Sequence, residues 1–138
     1  METPRPSKII PGLNVQSPWA ELIVSGRKTI ETRHYPLPTK YLNVELAVIQ
    51  TPGSANPGKK AQIVGTVVFS RCITYGSKQE WKADYRRHLV PENDKAFGYN
   101  SNKPKWGWVV KRVTTFPATV APPKRRGIRF TQACRIPL

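Results

Sequence analysis

Residues 26–33, with the sequence GRKTIETR, place three basic side chains around one acidic side chain. The bases are Arg27, Lys28 and Arg33, and the acid is Glu31. In an extended strand successive side chains alternate between two faces, so Glu31 and Arg33 share a face and Lys28 lies at the preceding turn. This spacing predicts a cation–anion–cation cluster on one small surface.

The chemistry of such a cluster is electrostatic. The surrounding cations favour the ionised form of Glu31, which suits it to accept hydrogen bonds, for example from the exocyclic amine of cytosine. Glu31 in turn favours protonated Lys28, and Arg33 can grip a phosphate through two parallel hydrogen bonds. We therefore take Lys28, Glu31 and Arg33 as candidate catalytic residues. The alternative is a set of ordinary ion pairs on an exposed strand edge.

A short helix is predicted directly before the cluster. Ser17 is expected to be its N-cap, Pro18 its first residue and Gly26 the left-handed residue that follows its end. A helix with both ends defined in this way would hold Lys28 at a fixed place.

The rest of the chain reads as short strands with little helix. Residues 77–80 have the sequence of a capping box and begin a second helix, predicted near residues 77–89. Residues 1–11 contain three prolines and are expected to form a loose arm, followed by a single domain over residues 12–138. The fold class is mostly β with flanking helices (α+β). Strands are predicted near residues 13–16, 44–50, 61–75, 106–113 and 128–131.

The charge of the chain points to a polyanionic partner. Lys and Arg number 23 against 8 Asp and Glu, which gives a net charge of +15. Such a field attracts nucleic acid, and single-stranded RNA is the expected partner. Lys124, Arg125 and Arg126 form a basic loop that can clamp phosphates, although such a run is also typical of a solvated turn. Tyr35 and Tyr99, in polar loops, are candidate stacking platforms for bases.

Several classes of site receive no support from the sequence. Cys72 and Cys134 are far apart and lack the spacing of a zinc site or a disulfide framework, and the acidic residues are too scattered for a magnesium site. No metal or cofactor is therefore predicted. The absence of a long apolar run predicts no membrane segment, and we expect a cytoplasmic protein, monomeric in the simplest case.

Several stretches together resemble the ASCH domain (activating-signal-cointegrator homology). They are residues 16–20 (QSPWA), residues 28–33 (KTIETR), the strand at 63–69, the tryptophan strand at 106–110 and residues 127–130 (GIRF). The resemblance spans most of the chain. It implies a PUA-like curled β-barrel with helices beside it, a cleft at the motif, and work on RNA.

The resemblance leaves the activity open. Small bacterial members of the family include amidohydrolases that remove the acetyl group from N4-acetylcytidine, and other members bind or cleave RNA. The amidohydrolase pattern needs a threonine three residues after the lysine, where this chain has Glu31, and its downstream glutamate cannot be placed. We therefore predict binding of RNA or a nucleotide in a basic cleft, through Arg27, Lys28, Arg33, Tyr35, Tyr99 and the basic loop. Ribonuclease activity, the amidohydrolase activity and a basic module for an acidic protein partner are the alternatives.

Overall fold

The computed structural model describes residues 6–53 and 58–138. Six strands and three short α-helices make up this part of the chain. In chain order they are β1 (Ser7–Gln16), α1 (Trp19–Val24), β2 (Ile30–Arg33), β3 (Leu46–Thr51), β4 (Gln62–Tyr75), α2 (Lys78–Ala83), α3 (Tyr85–His88), β5 (Lys105–Val120) and β6 (Phe130–Pro137). The prediction of a mostly β fold with flanking helices is confirmed.

All six strands form one mixed sheet in the order β2-β5-β4-β3-β1-β6. β1 runs parallel to β3, and the other neighbours are antiparallel. Within residues 6–53 and 58–138 no pairing joins the two end strands, so the predicted closed barrel is wrong and the sheet is open. The reason lies in β2, which has four residues and pairs only with the first part of β5, between Trp106 and Val109.

The sheet is nevertheless strongly curled. Near Gly65 the pairing of β4 with β5 shifts register, and a Cβ on Gly65 would lie 2.0 Å from the main-chain oxygen of Thr114. Only glycine permits this close approach of two backbones. The curl brings β2 close to β1, and the guanidinium of Arg33 donates a hydrogen bond of 2.8 Å to the main-chain oxygen of Asn14.

Both faces of the sheet are covered, which explains why β3 is apolar without alternation. Leu46 and Val48 face the larger apolar cluster, which also contains α1, whereas Ala47 and Ile49 face a smaller cluster near β6. All four side chains are fully buried. Burying a leucine, valine or isoleucine side chain contributes about 1.5–3 kcal/mol each, so this strand anchors the fold.

The start of the chain departs from the prediction of a loose arm. Ser7–Gln16 form β1, so residues 7–11 belong to the sheet, and residues 1–5 lie outside the described part. β1 pairs on one side with β3 and on the other with β6. Pro6 precedes the strand, and Pro11 is tolerated within it because a bulge interrupts the pairing with β6 between Ile10 and Gly12.

The helix before the motif differs from its prediction at one end. α1 begins at Trp19 with Pro18 in the N-cap position, and the Ser17 hydroxyl donates to the Glu21 carboxylate at 2.9 Å instead of capping the helix. The expected Ser17 cap is therefore wrong. The predicted end of the helix is confirmed, because Gly26 follows it in the left-handed conformation with a φ of +83°.

The single helix predicted near residues 77–89 is divided into two shorter helices, α2 and α3. α2 has the expected Ser77 cap, since Ser77 Oγ accepts from Glu80 N at 3.1 Å. The Glu80 carboxylate reaches back one residue further than in a capping box, because its Oε2 accepts from Gly76 N at 2.7 Å. Asp84 lies between the two helices and belongs to neither. Leu89 is the C-cap of α3 and has a φ of 63°. These turns place the main-chain oxygen of His88 against the motif.

Candidate functional site

A cavity of about 430 Å³ lies at the Lys28, Glu31 and Arg33 motif. This volume falls in the range of small-molecule sites, roughly 300–1,000 Å³. β1, β2, the start of α1 and the loops before β5 and β6 all contribute to its wall. The lining residues are Asn14, Gln16, Trp19, Lys28, Glu31, Thr32, Arg33, His34, Tyr35, Thr51, Val90, Ala96, Phe97, Lys105, Ile128 and Arg129.

Lys28 is fully buried in the cavity wall. Its main-chain N–H donates to Leu22 O of α1 at 2.9 Å, and its ammonium donates to the main-chain oxygen of His88. The ammonium also lies 3.8 Å from Glu31 Oε1 and 5.2 Å from the centre of the Trp19 ring. A buried ammonium is tolerated only with such partners, so its position is strongly specified.

The protonation of Lys28 differs from our sequence-based inference. Burial lowers the pKa of Lys28 to about 8, because removing the ammonium from water costs more than the nearby Glu31 carboxylate returns. The cations of Lys105 and Arg33 lower the pKa further. Lys28 is therefore not simply held protonated by Glu31, since both forms are populated near pH 8.

Glu31 and Arg33 share a face of β2, as predicted, and form an ion pair. Glu31 Oε2 accepts from Arg33 Nε at 3.1 Å and from Nη2 at 2.9 Å. Arg33 also donates through Nη1 to the Tyr35 hydroxyl and through Nη2 to Asn14 O, both at 2.8 Å. These contacts use four of the five guanidinium N–H groups. The predicted bidentate grip of Arg33 on a phosphate is therefore not available in this arrangement.

Tyr35 lies in the cavity wall with its ring already in contact on two sides. Its ring packs edge-on against Trp108 at 5.6 Å, and the Arg129 guanidinium lies 3.9 Å from its centre. The aromatic surface that was predicted to stack on bases thus has a cation over it.

The other residues proposed for binding RNA lie around or away from the cavity. Arg27 is exposed and does not line it, and the Tyr99 ring packs 6.2 Å from Trp81 outside the cavity wall. The basic loop, residues 124–126, is exposed, and the residues that follow it, Ile128 and Arg129, reach the cavity. This connection is fixed because Asn14 Nδ2 donates to Gly127 O at 2.7 Å and Ile128 O at 3.1 Å.

Lys105 is a site residue that the sequence analysis missed. It is buried, and its ammonium donates to Phe97 O at 2.9 Å and to Gly98 O at 3.3 Å. Burial lowers the pKa of Lys105, and the field of Glu31 opposes that change. The sequence feature that could have identified Lys105 is its position directly before the tryptophan strand, where it alternates with Trp106 and shares a strand face with Gly107.

Asn14 and Trp19 are two further residues of the cavity wall that were not proposed. The Trp19 ring packs edge-on against Phe97 at 5.7 Å, so it belongs to the apolar core and also lines the cavity. Asn14 Oδ1 and Trp19 Nε1 are buried and have no hydrogen-bond partner among the described residues. Neither property could be inferred from the sequence, because both depend on distant loops.

The described residues also bear on other kinds of site. In residues 6–53 and 58–138 no three His, Cys, Asp or Glu side chains cluster as metal ligands would. Cys72 and Cys134 are both free thiols. None of the helices in this part of the chain has the length and apolar character needed to cross a membrane.

Comparison with known proteins agrees with the fold and the motif. The crystal structure of ASCH from Zymomonas mobilis superposes with a TM-score of 0.60 and 19% identity over 76% of this chain and 68% of that one. The crystal structure of a mutant form of that Zymomonas mobilis protein gives 0.62 and 18% over 88% and 86%. No curated protein matches. The ASCH domain model matches residues 13–118, which contain the cavity motif and most of the sheet, and the chain therefore belongs to the ASCH domain family.

Proposed function

We propose that the protein binds single-stranded RNA or a nucleotide, with one nucleotide in the cavity and the flanking phosphates on the basic loop. The family is generally linked to RNA binding, and the net charge of +15 favours a polyanion. The observation that carries the proposal is the cluster of buried Lys28 and Glu31 with half-buried Arg33 in the wall of a cavity large enough for a nucleotide.

The carboxylate of Glu31 has capacity left for a ligand. Its Oε2 is occupied by Arg33, but Oε1 is 3.8 Å from the Lys28 ammonium, which is longer than a hydrogen bond. A base seated in the cavity can therefore donate an N–H to Oε1. The pairing with Lys28 and Arg33 keeps this acceptor in place before the ligand arrives.

The phosphates are assigned to the loop because Arg33 is occupied by its own neighbours. Lys124, Arg125 and Arg126 are exposed, and residues 127–129 lead directly from them to the cavity wall. An RNA strand that leaves the cavity past Arg129 would run along these three cations. Exposed cations release counterions when they contact phosphates, which makes the affinity depend on salt.

We expect the triple variant Lys124→Gln, Arg125→Gln and Arg126→Gln to reduce the salt dependence of RNA binding. Each phosphate contact contributes about 0.7 to the slope of log affinity against log salt for single strands, so three lost contacts lower it by about 2. Fluorescence anisotropy with a labelled single-stranded RNA at several salt concentrations measures the slope.

The matched control removes three cations from a second basic surface, on α2 and α3. Lys78, Lys82 and Arg86 are also exposed, but Lys78 and Lys82 pair with Glu92 at 3.8 and 3.1 Å. Their replacement by glutamine changes the net charge equally and should leave the slope nearly unchanged. Equal slopes for the two triple variants would show that RNA follows the overall charge and does not use the loop. Retention of an acidic protein after nuclease treatment would support the protein-interaction alternative.

A hydrolytic role on the bound nucleotide is a second candidate, favoured by the lowered pKa of Lys28. With a pKa of about 8, Lys28 can accept and return a proton near neutral pH. Thr32, His34 and Thr51 also line the cavity, and Nδ1 of His34 lies 3.0 Å from Pro104 O. Cleavage of RNA and deacetylation of N4-acetylcytidine are the reactions to test.

If the protein is such a hydrolase, Lys28→Met should lower turnover by about 10²–10⁴, the usual loss for a general acid or base. Lys78→Met, on the exposed face of α2, should keep full turnover. Incubation of both variants with single-stranded RNA and with N4-acetylcytidine, followed by chromatography, checks this. Binding without turnover in the parent protein would reject the hydrolase.

A further inference from the structure

Three polar atoms in the cavity wall have hydrogen-bonding capacity that the protein does not use. Asn14 Oδ1 and Trp19 Nε1 have no partner among the described residues, and Glu31 Oε1 lies 3.8 Å from the Lys28 ammonium, which is longer than a hydrogen bond. All three residues line the same cavity, and Trp19 is 8% exposed. An unpaired buried polar group is costly, so a ligand whose groups complement these three atoms would gain affinity from pairing with them.

The roles of these atoms as donors or acceptors are fixed by their surroundings. Asn14 donates through Nδ2 to the main-chain oxygens of Gly127 and Ile128, which are both acceptors, so its Oδ1 is the free acceptor. Glu31 Oε1 is a carboxylate acceptor, and the indole Nε1 of Trp19 can only donate. The cavity therefore presents two acceptors and one donor.

The three residues line one cavity, and contacts through Lys28 and Arg33 link them within its wall. Lys28 Nζ is 5.2 Å from the centre of the Trp19 ring and 3.8 Å from Glu31 Oε1. Arg33 Nη2 then joins Glu31 at 2.9 Å to the main chain of Asn14 at 2.8 Å. Asn14 Oδ1 and Trp19 Nε1 are both buried, so a ligand in the cavity reaches them only when each side chain rotates towards it.

We infer that the cavity selects a nucleobase that carries an exocyclic amine, such as cytosine or adenine, over its keto counterpart. This inference rests on the proposed binding of a nucleotide in the cavity. The amine supplies one N–H to Glu31 Oε1 and one to Asn14 Oδ1, and an acceptor atom of the base receives the Trp19 N–H. A keto oxygen at the same place would face two acceptors and leave both without a donor.

The direct test compares RNA oligomers of equal length that differ only at this group. Oligocytidine is compared with oligouridine, and oligoadenosine with oligoinosine, at one salt concentration. A hydrogen bond to a charged group is strong, so we expect the amine-bearing member of each pair to bind at least about tenfold more tightly. Tight but equal binding of all four would overturn the inference and leave the proposed function in place. Failure of all four to bind would reject both.

Glu31→Gln tests the source of the preference. Glutamine removes the charge that pairs with Lys28 and Arg33, so thermal melting first establishes that the variant is folded. A glutamine amide can donate as well as accept, so in the folded variant the ratio of cytidine to uridine affinity should fall towards one. An unchanged ratio in this variant would show that the carboxylate does not read the amine.

Two tryptophans provide a matched test of the donor. Trp19 and Trp81 both have a buried indole N–H without a partner among the described residues, but Trp81 does not line this cavity. Trp19→Phe and Trp81→Phe each remove that N–H and keep an aromatic ring. We expect Trp19→Phe to weaken binding of oligocytidine about three- to tenfold and Trp81→Phe to leave it unchanged. Thermal melting of both variants checks folding, and equal affinity losses would contradict the assignment of Trp19.

Discussion

Glu31→Ala should lower the free energy of unfolding by about 3–5 kcal/mol, the usual cost of breaking a buried ion pair by removing one partner. The carboxylate is buried and is the acidic partner of Lys28 and Arg33, which are 0% and 18% exposed in their side chains. Without it two buried cations face each other uncompensated. Urea denaturation at neutral pH measures the loss.

An exposed glutamate gives the matched control for this loss. Glu92 pairs with Lys82 at 3.1 Å, but its side chain is 54% exposed, so Glu92→Ala should cost at most about 1 kcal/mol. If the cost in Glu31→Ala comes from unpaired cations, adding Lys28→Met should recover part of it. Similar losses in Glu31→Ala and Glu92→Ala would show that the motif is well hydrated.

The second large effect is on the pH dependence of stability, through Lys28. Its folded-state pKa of about 8 lies below the ordinary value of 10.5, so between these pH values the unfolded chain binds more protons than the folded one. Stability from this group therefore rises with pH across that window, by up to about 1.4 kcal/mol per pH unit. Lys28→Met removes this slope, so the free energy of unfolding of the parent protein minus that of the variant should increase from pH 8 to pH 10.

The difference between parent and variant isolates Lys28 from other titrating groups. Burial raises the pKa of the Cys72 and Cys134 thiols and of the Tyr75 hydroxyl, so these groups make stability fall at high pH. Lys105 acts in the same sense as Lys28. The two thiols and the Tyr75 hydroxyl are present in both proteins and cancel. Lys105 interacts with Lys28, and loss of the Lys28 charge relieves part of the lowering of the Lys105 pKa, which adds to the expected increase in the difference. A difference that stays flat between pH 8 and pH 10 would mean that Lys28 titrates as an ordinary lysine.

Local pattern was sufficient to predict the parts of the fold that local forces decide. Gly26 ends the helix before the motif because only a residue tolerant of positive φ fits there, and the alternation of β2 places Glu31 beside Arg33. The Ser77 cap of α2 was also predictable, because it depends only on Ser77 and on Glu80 three residues later. Closure of the sheet was predicted wrongly because it depends on whether β2 meets β6, and no short stretch of sequence specifies that contact.

The chemistry of the site was less predictable because its partners come from distant parts of the chain. Lys28 is buried under His88, which is 60 residues away, and this burial reverses the expected effect on its protonation. Arg33 is occupied by Asn14 and Tyr35, so it cannot serve as a free phosphate ligand. A pattern of charged residues gives their order along a strand but not the solvent or partners around them.

The hydrogen bond from Arg33 to the main chain of Asn14 joins the edge strand β2 to β1, the strand next to the opposite edge of the open sheet. The same guanidinium holds the acid that would meet a ligand. A substitution of Arg33 would therefore remove the link between β2 and β1 and also the hydrogen bonds that hold the Glu31 carboxylate in the cavity. The shape of the sheet and the position of the proposed acceptor cannot be altered independently at this residue.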